Sequence, residues 1–328
     1  MKITAFLLSL TLTTKAFSMD FYWDLGKSWD NIVPATNQSQ PKNESIQQKS
    51  TEPKIEKNQN LQPTEKEETK PKRENYKIIY RLGKFSPERI NEILAKANRI
   101  NDYEKKIEFL SAQFLGVPYE RLERNGEKKR KLDPKKRKEN LIVKLANVDC
   151  MTYIEYLEAL NRSKNFDDFV NQLKNVRYKN GVVSYETRNH FFTDWIKYNG
   201  YVDYAKKLAP KRAIVVRKHI NYSSKEGVML EGVPVETRVF SYIPSHRFTK
   251  DIINKLKTGD LVGAYAWGRS RDWIDVTHVG IIVKKNGRVY FRNASSLRRY
   301  NGVVDIPLEQ YLKRVKGLVI LRKKENID

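Results

Sequence analysis

NVDCMTYIEYLEAL, residues 147–160, carries the only cysteine of a 328-residue chain, at the point where an extended run turns into a helix. Counting from Cys150, the side chains of Tyr153, Ile154, Leu157 and Leu160 fall on one stripe of a 3.6-residue period. The cysteine therefore shares the face that packs inward. It also occupies the first turn, where backbone N–H groups outside the helical ladder and the helix dipole stabilise an anion. A thiol so placed can ionise well below the ordinary value of about 8.5. Two readings stand on this evidence. Cys150 is a small buried hydrophobe, since cysteine is among the most buried residue types, or it is a nucleophile.

A nucleophile needs a base, and the chain holds four histidines. His219 and His246 lie in polar or irregular surroundings that say nothing. His278 opens a strand in DVTHVGIIVKKNGRVYFRNASS, where Asn286-Gly287 is a strong signal for a two-residue hairpin turn. Pairing Lys285 with Arg288 sets the register. It puts Val283 opposite Tyr290, Gly280 opposite Asn293, and His278 opposite Ser295. His278 and Asn293 then share a face as diagonal neighbours, about 7–8 Å apart at the backbone. An amide oxygen at that distance can accept from one imidazole nitrogen and fix the tautomer. Thiolate, imidazole and an orienting polar group together make a cysteine-hydrolase constellation. Taken singly, His278 is a strand residue and Asn293 a hairpin residue; taken with Cys150, the three favour catalysis.

Around these motifs the chain divides by composition. Residues 1–18 read as an export signal, with Lys2 ahead of an apolar run over Ile3–Thr14 and a small-x-small site at Ala16-Phe17-Ser18. Twelve such residues are too few to span a bilayer, which takes about 20. The expected location is periplasmic or secreted, without a lipid-attachment cysteine and without a transmembrane segment. Residues 19–33 hold an aromatic segment that either docks on a partner or packs on its own domain. Residues 34–75 contain five of the twelve prolines and no glycine, and read as a disordered polar linker. From Tyr76 to Asp328 the pattern is globular and long enough for one core. FSPERINEILAKA places Ser86 as N-cap and Ile90, Ile93, Leu94 and Ala97 on one face. Tyr103, Ile107, Leu110 and Phe114 mark a second helix, and helical patterns return at 150–162, 166–173 and 190–198. DLVGAYAW, THVGIIV, RVYFRNA and GLVILR read as strands. Helices followed by strands indicate an α+β domain with an antiparallel sheet.

Net charge is +24, and removing a leader with Lys2 and Lys15 leaves +22. Such a field favours anionic partners, and with export, envelope polymers outrank nucleic acid, for which no binding motif is present. The basic loop at 124–140 either rims a cleft and attracts such polymers or is a solvated surface. No cofactor is expected, and four scattered histidines lack the spacing of a metal site.

These residues resemble a known family. GVPY (116–119), VDC opening a helix, TGDLVGAY (258–265), HVGII (278–282) and NASS (293–296) are similar to the NlpC-type papain-like cell-wall hydrolases. DCMTYIE (149–155), RNHFFTDW (188–195) and THVG (277–280) resemble more closely its N-acetylmuramoyl-L-alanine amidase-like branch, over roughly residues 85–325. The resemblance implies an antiparallel sheet packed against the helix that carries the nucleophile at its N-terminus. It implies cleavage of the amide joining muramic acid to L-alanine in peptidoglycan fragments or cell wall. Cys150 would be the nucleophile, His278 the base and Asn293 the third residue, where the family more often has histidine. Tyr119, Thr152, Arg188 and His190 would contact substrate, with Tyr119 as a second oxyanion donor. RNHFFTDW can equally be a helix start, with Asn189 capping and His190 packing. Glu155 matches a family acid but lies far around the helix from Cys150 and is assigned no chemistry. A stem-peptide endopeptidase and a non-catalytic envelope-binding module are the competing functions.

Overall fold

The protein is described here from a computed structural model that covers residues 76–121 and 138–327. The leader, the aromatic segment, the linker and residues 124–137 of the basic loop lie outside the described residues. The described chain opens with β1 (Ile78–Arg81), α1 (Pro87–Ala97), α2 (Tyr103–Ala112) and β2 (Leu141–Lys144), with β1 and β2 paired in parallel. In α1 the Ser86 hydroxyl accepts from the Arg89 amide, and Ile90, Ile93, Leu94 and Ala97 are the buried residues, as their spacing predicts.

Next come α3 (Cys150–Arg162), α4 (Phe166–Arg177), α5 (Asp194–Tyr198), β3 (Tyr201–Asp203) and α6 (Ala205–Leu208). The C-terminal part runs through β4 (Ile214–Ile220), the short pair β5 (Tyr222–Ser223) and β6 (Gly227–Val228), β7 (Glu236–Pro244) and α7 (Lys250–Lys255). It ends with β8 (Leu261–Tyr265), β9 (Val276–Lys285), β10 (Arg288–Ser295), β11 (Gly302–Pro307), α8 (Leu308–Leu312) and β12 (Gly317–Lys323). The main sheet has eight strands in the order β11-β10-β9-β8-β12-β7-β4, with β3 also on β12. Its pairings are antiparallel. The domain is thus a mixed α/β architecture built on an antiparallel sheet. No helix among the described residues is long and apolar enough to cross a membrane.

Alternation along the strands divides the interior in two. Val279, Ile281, Val283, Ala294 and Val319 join the core built with α1–α4. Val262, Ile282, Phe291, Leu318 and Ile320 join a second core with Leu208, Ile252, Leu308 and Tyr311. Helix α3 packs on β9 and β10, and it is buried on every side from Met151 to Leu160. Its two acids are therefore paired. Glu155 accepts from Arg177 Nε at 2.7 Å, and Glu158 accepts from Arg162 Nε at 2.7 Å, from the Tyr201 hydroxyl at 2.8 Å and from Lys323. Removing one partner of such a buried pair costs about 3–5 kcal/mol, so both acids hold the helix in place.

Two expectations need correction. The helical pattern at 190–198 yields only the short α5, because the Asp194 carboxylate accepts from the Phe191 amide at 2.8 Å and folds 191–194 as a turn. Asn189 does not cap it; its amide donates to the Val176 carbonyl at 2.9 Å.

Candidate active site

The site is assembled where α3 begins and where β9 and β10 run side by side. Asp149 is the N-cap of α3, accepting from the Thr152 amide at 2.7 Å, while the Thr152 hydroxyl accepts from the Asp149 amide at 2.9 Å. This reciprocal capping box fixes where the helix starts and leaves Cys150 at its first position, half-buried. Thr152, expected among the substrate contacts, is 3% exposed and engaged in this cap. Its hydroxyl and amide are both used in fixing the helix start beside the cysteine.

Tyr119 comes from a different part of the chain to the same spot. It bridges to Val148 in parallel, two residues before Cys150, and its amide donates to the Asn301 carbonyl at 3.1 Å. The half-buried Tyr119 ring packs against the same core as Cys150.

The histidine comes from the hairpin. Lys285 pairs with Arg288, Val283 with Tyr290 and Ile281 with Arg292, in the register the sequence predicts. Asn286 and Gly287 take φ of 50° and 69°, the left-handed turn that Asn-Gly favours. His278 Nε2 lies 2.8 Å from Asn293 Oδ1. The Asn293 amide nitrogen donates to the Phe291 carbonyl at 3.3 Å, which turns its oxygen toward the ring. An amide oxygen only accepts, so Nε2 carries the proton and Nδ1 holds the basic lone pair. Gly280 makes this contact possible. A Cβ there would sit 2.5 Å from the Arg292 carbonyl oxygen and 2.8 Å from Asn293 Cβ.

His278 is 9% exposed. Burial pushes its pKa down to about 4, against the opposing effects of the Asn293 bond and the Asp149 charge. The imidazole is therefore neutral near pH 7, as a general base must be.

Several contributors were not visible in the sequence. Ala264 pairs with His278 but Tyr265 pairs with Val276, so a β-bulge at Thr277 immediately precedes the histidine. Bulges re-aim side chains beside active sites. The start of β9 is also anchored: the Asp275 carboxylate accepts from the Thr193 amide at 2.6 Å and from its hydroxyl at 2.7 Å. Arg238 in turn donates to the Thr193 hydroxyl at 2.8 Å and to Asp194 at 2.7 Å. RNHFFTDW thus acts largely as a buttress for the histidine strand. Within it, Arg188 is 4% exposed, paired with Glu139 and packed over the Tyr178 ring. Glu139 draws it into the interior, which leaves no guanidinium to present to a substrate. His190 is half-buried, with Nε2 2.7 Å from the Tyr185 carbonyl and its ring 4.7 Å from the Tyr185 ring.

Comparison with known proteins addresses the same chain as a whole. The family model described as AmiA-like, N-acetylmuramoyl-L-alanine amidase-like, matches residues 109–318, which is more than half of the sequence. The chain belongs to the N-acetylmuramoyl-L-alanine amidase-like family. This amidase-like hydrolase shares its fold with a crystal structure of a Legionella pneumophila protein, at 24% identity and a TM-score of 0.56, over 72% of this chain and 93% of that one. It is similar also to an N-acetylmuramoyl-L-alanine amidase from Bacteroides uniformis, at 24% identity and a TM-score of 0.53, over 67% of this chain and 97% of that one. A comparison with curated proteins finds no match. The family is one of amidase-like peptidoglycan hydrolases, and the site lies within the matched residues.

Proposed function

We propose that this amidase-like protein is an exported cysteine hydrolase of the NlpC-type papain-like kind, cleaving the N-acetylmuramoyl-L-alanine amide through a thioester. One observation carries the reading. The His278–Asn293 bond joins the two strands on which α3 packs, and the charge of Asp149, the residue before the chain's sole cysteine, acts on the imidazole. The Cys150 thiol gives its proton to His278 Nδ1, and the sulfur attacks the lactyl carbonyl carbon. The resulting oxyanion is met by backbone N–H groups at the start of α3 and by the Tyr119 hydroxyl. The carbon–nitrogen bond breaks as His278 returns the proton to the departing L-alanine amine. Water, deprotonated by the same imidazole, hydrolyses the thioester to the muramic acid carboxylate and restores the thiol. Asn293 holds the ring, and His190 would contact the substrate.

Export follows from the leader at 1–18, so the mature chain would comprise the aromatic segment 19–33, the linker 34–75 and a catalytic domain 76–328. Its positive charge suits anionic envelope polymers.

The test incubates the chain from Met19, intact and as Cys150→Ala, with muropeptides and with whole sacculi, and reads products by mass spectrometry. Stem peptide with an L-alanine amino terminus, from the intact chain only, is the expected product. Cuts within the stem peptide would make it an endopeptidase; no product from either substrate would leave an envelope-binding module.

A further inference from the structure

The loop between β8 and β9, residues 266–275, runs directly into the strand that carries His278, and a lysine from the edge strand β4 holds it. The Lys218 ammonium donates to the carbonyls of Ala266 at 2.5 Å, Ile274 at 2.9 Å and Arg271 at 3.2 Å. It also lies 4.7 Å from the centroid of the Tyr265 ring. An ammonium has three N–H donors, and here each goes to a different point of one loop. Burial pushes the Lys218 pKa down to about 8, against the nearby charges of Asp275 and Asp272. Near neutral pH the group therefore keeps its proton and its third donor. The ends of the loop are tied to each other as well, the Ala266 amide donating to the Asp275 carbonyl at 3.0 Å.

This clamp adjoins the histidine. Tyr265, just before the loop, pairs with Val276, just after it, and Ala264 pairs with His278 across the bulge at Thr277. Ladder bonds fix the course of a regular strand, but a bulge interrupts them and bends the chain. The aim of the side chain that follows then depends on what anchors the residues before it. Lys218 is the cross-strand partner of Arg238, which bonds Thr193 and, through it, the Asp275 carboxylate. Two cations on paired strands thus hold the entry to β9, one through side chains and the other through backbone carbonyls. The chain beyond β4 adds to the grip: the Asn221 amide donates to the Trp273 carbonyl at 2.8 Å, and the Ser224 hydroxyl to Asp272 at 2.6 Å.

We propose that Lys218 is a positioning residue for His278, its ammonium fixing the β8–β9 loop so that β9 enters the bulge in the one direction that sets the imidazole on Asn293. It acts through the loop and not on the reacting atoms. Its consequence for catalysis rests on the cysteine-hydrolase reading; its hold on the imidazole does not.

The test reads the imidazole directly. Histidine ring-proton resonances of the full chain are followed by NMR from pH 7.5 to 4.5 for wild type and Lys218→Met, with the His278 signal assigned by its absence from His278→Leu. Methionine keeps most of the side-chain volume and removes all three donors. With the loop released, water reaches the ring, and its pKa should rise by about one unit from the buried value of about 4. At pH 4.5 the wild-type imidazole then stays mostly neutral while the variant's is mostly protonated. Turnover of muropeptides at pH 7 should fall about tenfold in kcat with KM unchanged, because small displacements of a catalytic group act on the chemical step. Thermal unfolding is measured beside both. Lys218→Gln, whose amide keeps two donors, replaces the methionine variant if the cooperative transition is lost, with a smaller change in the same direction. A His278 titration that matches wild type would overturn the assignment, however much stability the variant loses. A wild type without turnover would overturn the hydrolase reading alone, and the titration would still decide the role of Lys218.

Discussion

His278 links the chemistry of the site to the acid stability of the domain. Its pKa in the folded protein is about 4 against an ordinary 6.5, with burial as the main cause. Between these values the unfolded chain binds a proton that the folded chain does not. Stability therefore rises with pH across this window, at up to about 1.4 kcal/mol per unit. The contribution is fully present above pH 6.5 and is lost as pH falls toward 4. The whole shift amounts to about 3 kcal/mol, a large share of the 5–15 kcal/mol typical of a domain. Buried Asp194 and Asp260 and half-buried Asp203 have raised pKa values and titrate in acid as well, so a variant lacking only the imidazole is needed. Urea unfolding, followed by tryptophan fluorescence at half-unit steps from pH 7.5 to 4.5, is compared for wild type and His278→Leu. The expected result is a wild-type curve that falls more steeply than the variant's below pH 6.5, the gap between them changing by about 2–3 kcal/mol. Parallel curves would show that the imidazole is not held neutral by burial, and the assignment of a neutral base at neutral pH would fail with it.

Two further outcomes follow from the same contacts. Arg188→Met breaks a buried pair with Glu139 and should cost about 3–5 kcal/mol of stability, with KM unchanged for the molecules that remain folded; a raised KM at unchanged stability would return Arg188 to the substrate. Gly280→Ala drives a methyl group against the Arg292 carbonyl and Asn293. It should lower stability by about 1–3 kcal/mol and reduce kcat by more than that loss of folded protein explains, as measured by thermal unfolding beside turnover.

How much of this was legible in the sequence depended on whether the signal was local. The His278–Asn293 pair could be read because Asn286-Gly287 admits one tight turn, and every pairing upstream of it follows by counting. The start of α3 could be read because an extended run gives way to a clear apolar period at Cys150. The position of Arg188 could not, since the carboxylate that draws it inward is Glu139, 49 residues earlier. An arginine beside a histidine looks alike whether it faces solvent or a buried acid. The bulge at Thr277 has no glycine to announce it. Tyr311, which stacks on Phe291 of β10, lies on a five-residue helix, too short to show any period.

The proposed third position of the constellation shows what the register achieves chemically. Where a histidine is more usual in the resemblance, this chain places Asn293, whose amide does not titrate. Its oxygen is turned to His278 by a backbone carbonyl on its own strand, so the orientation of the imidazole is tied to the hairpin and not to a second ionisable group. A histidine in that place could itself protonate in mild acid and lose its acceptor nitrogen, adding a second titration to the pair. With asparagine, the bond at 2.8 Å survives for as long as the β9–β10 ladder does. In the proposed reaction the acid limb of activity then belongs to the Cys150–His278 couple, with no second titrating group hydrogen-bonded through Asn293.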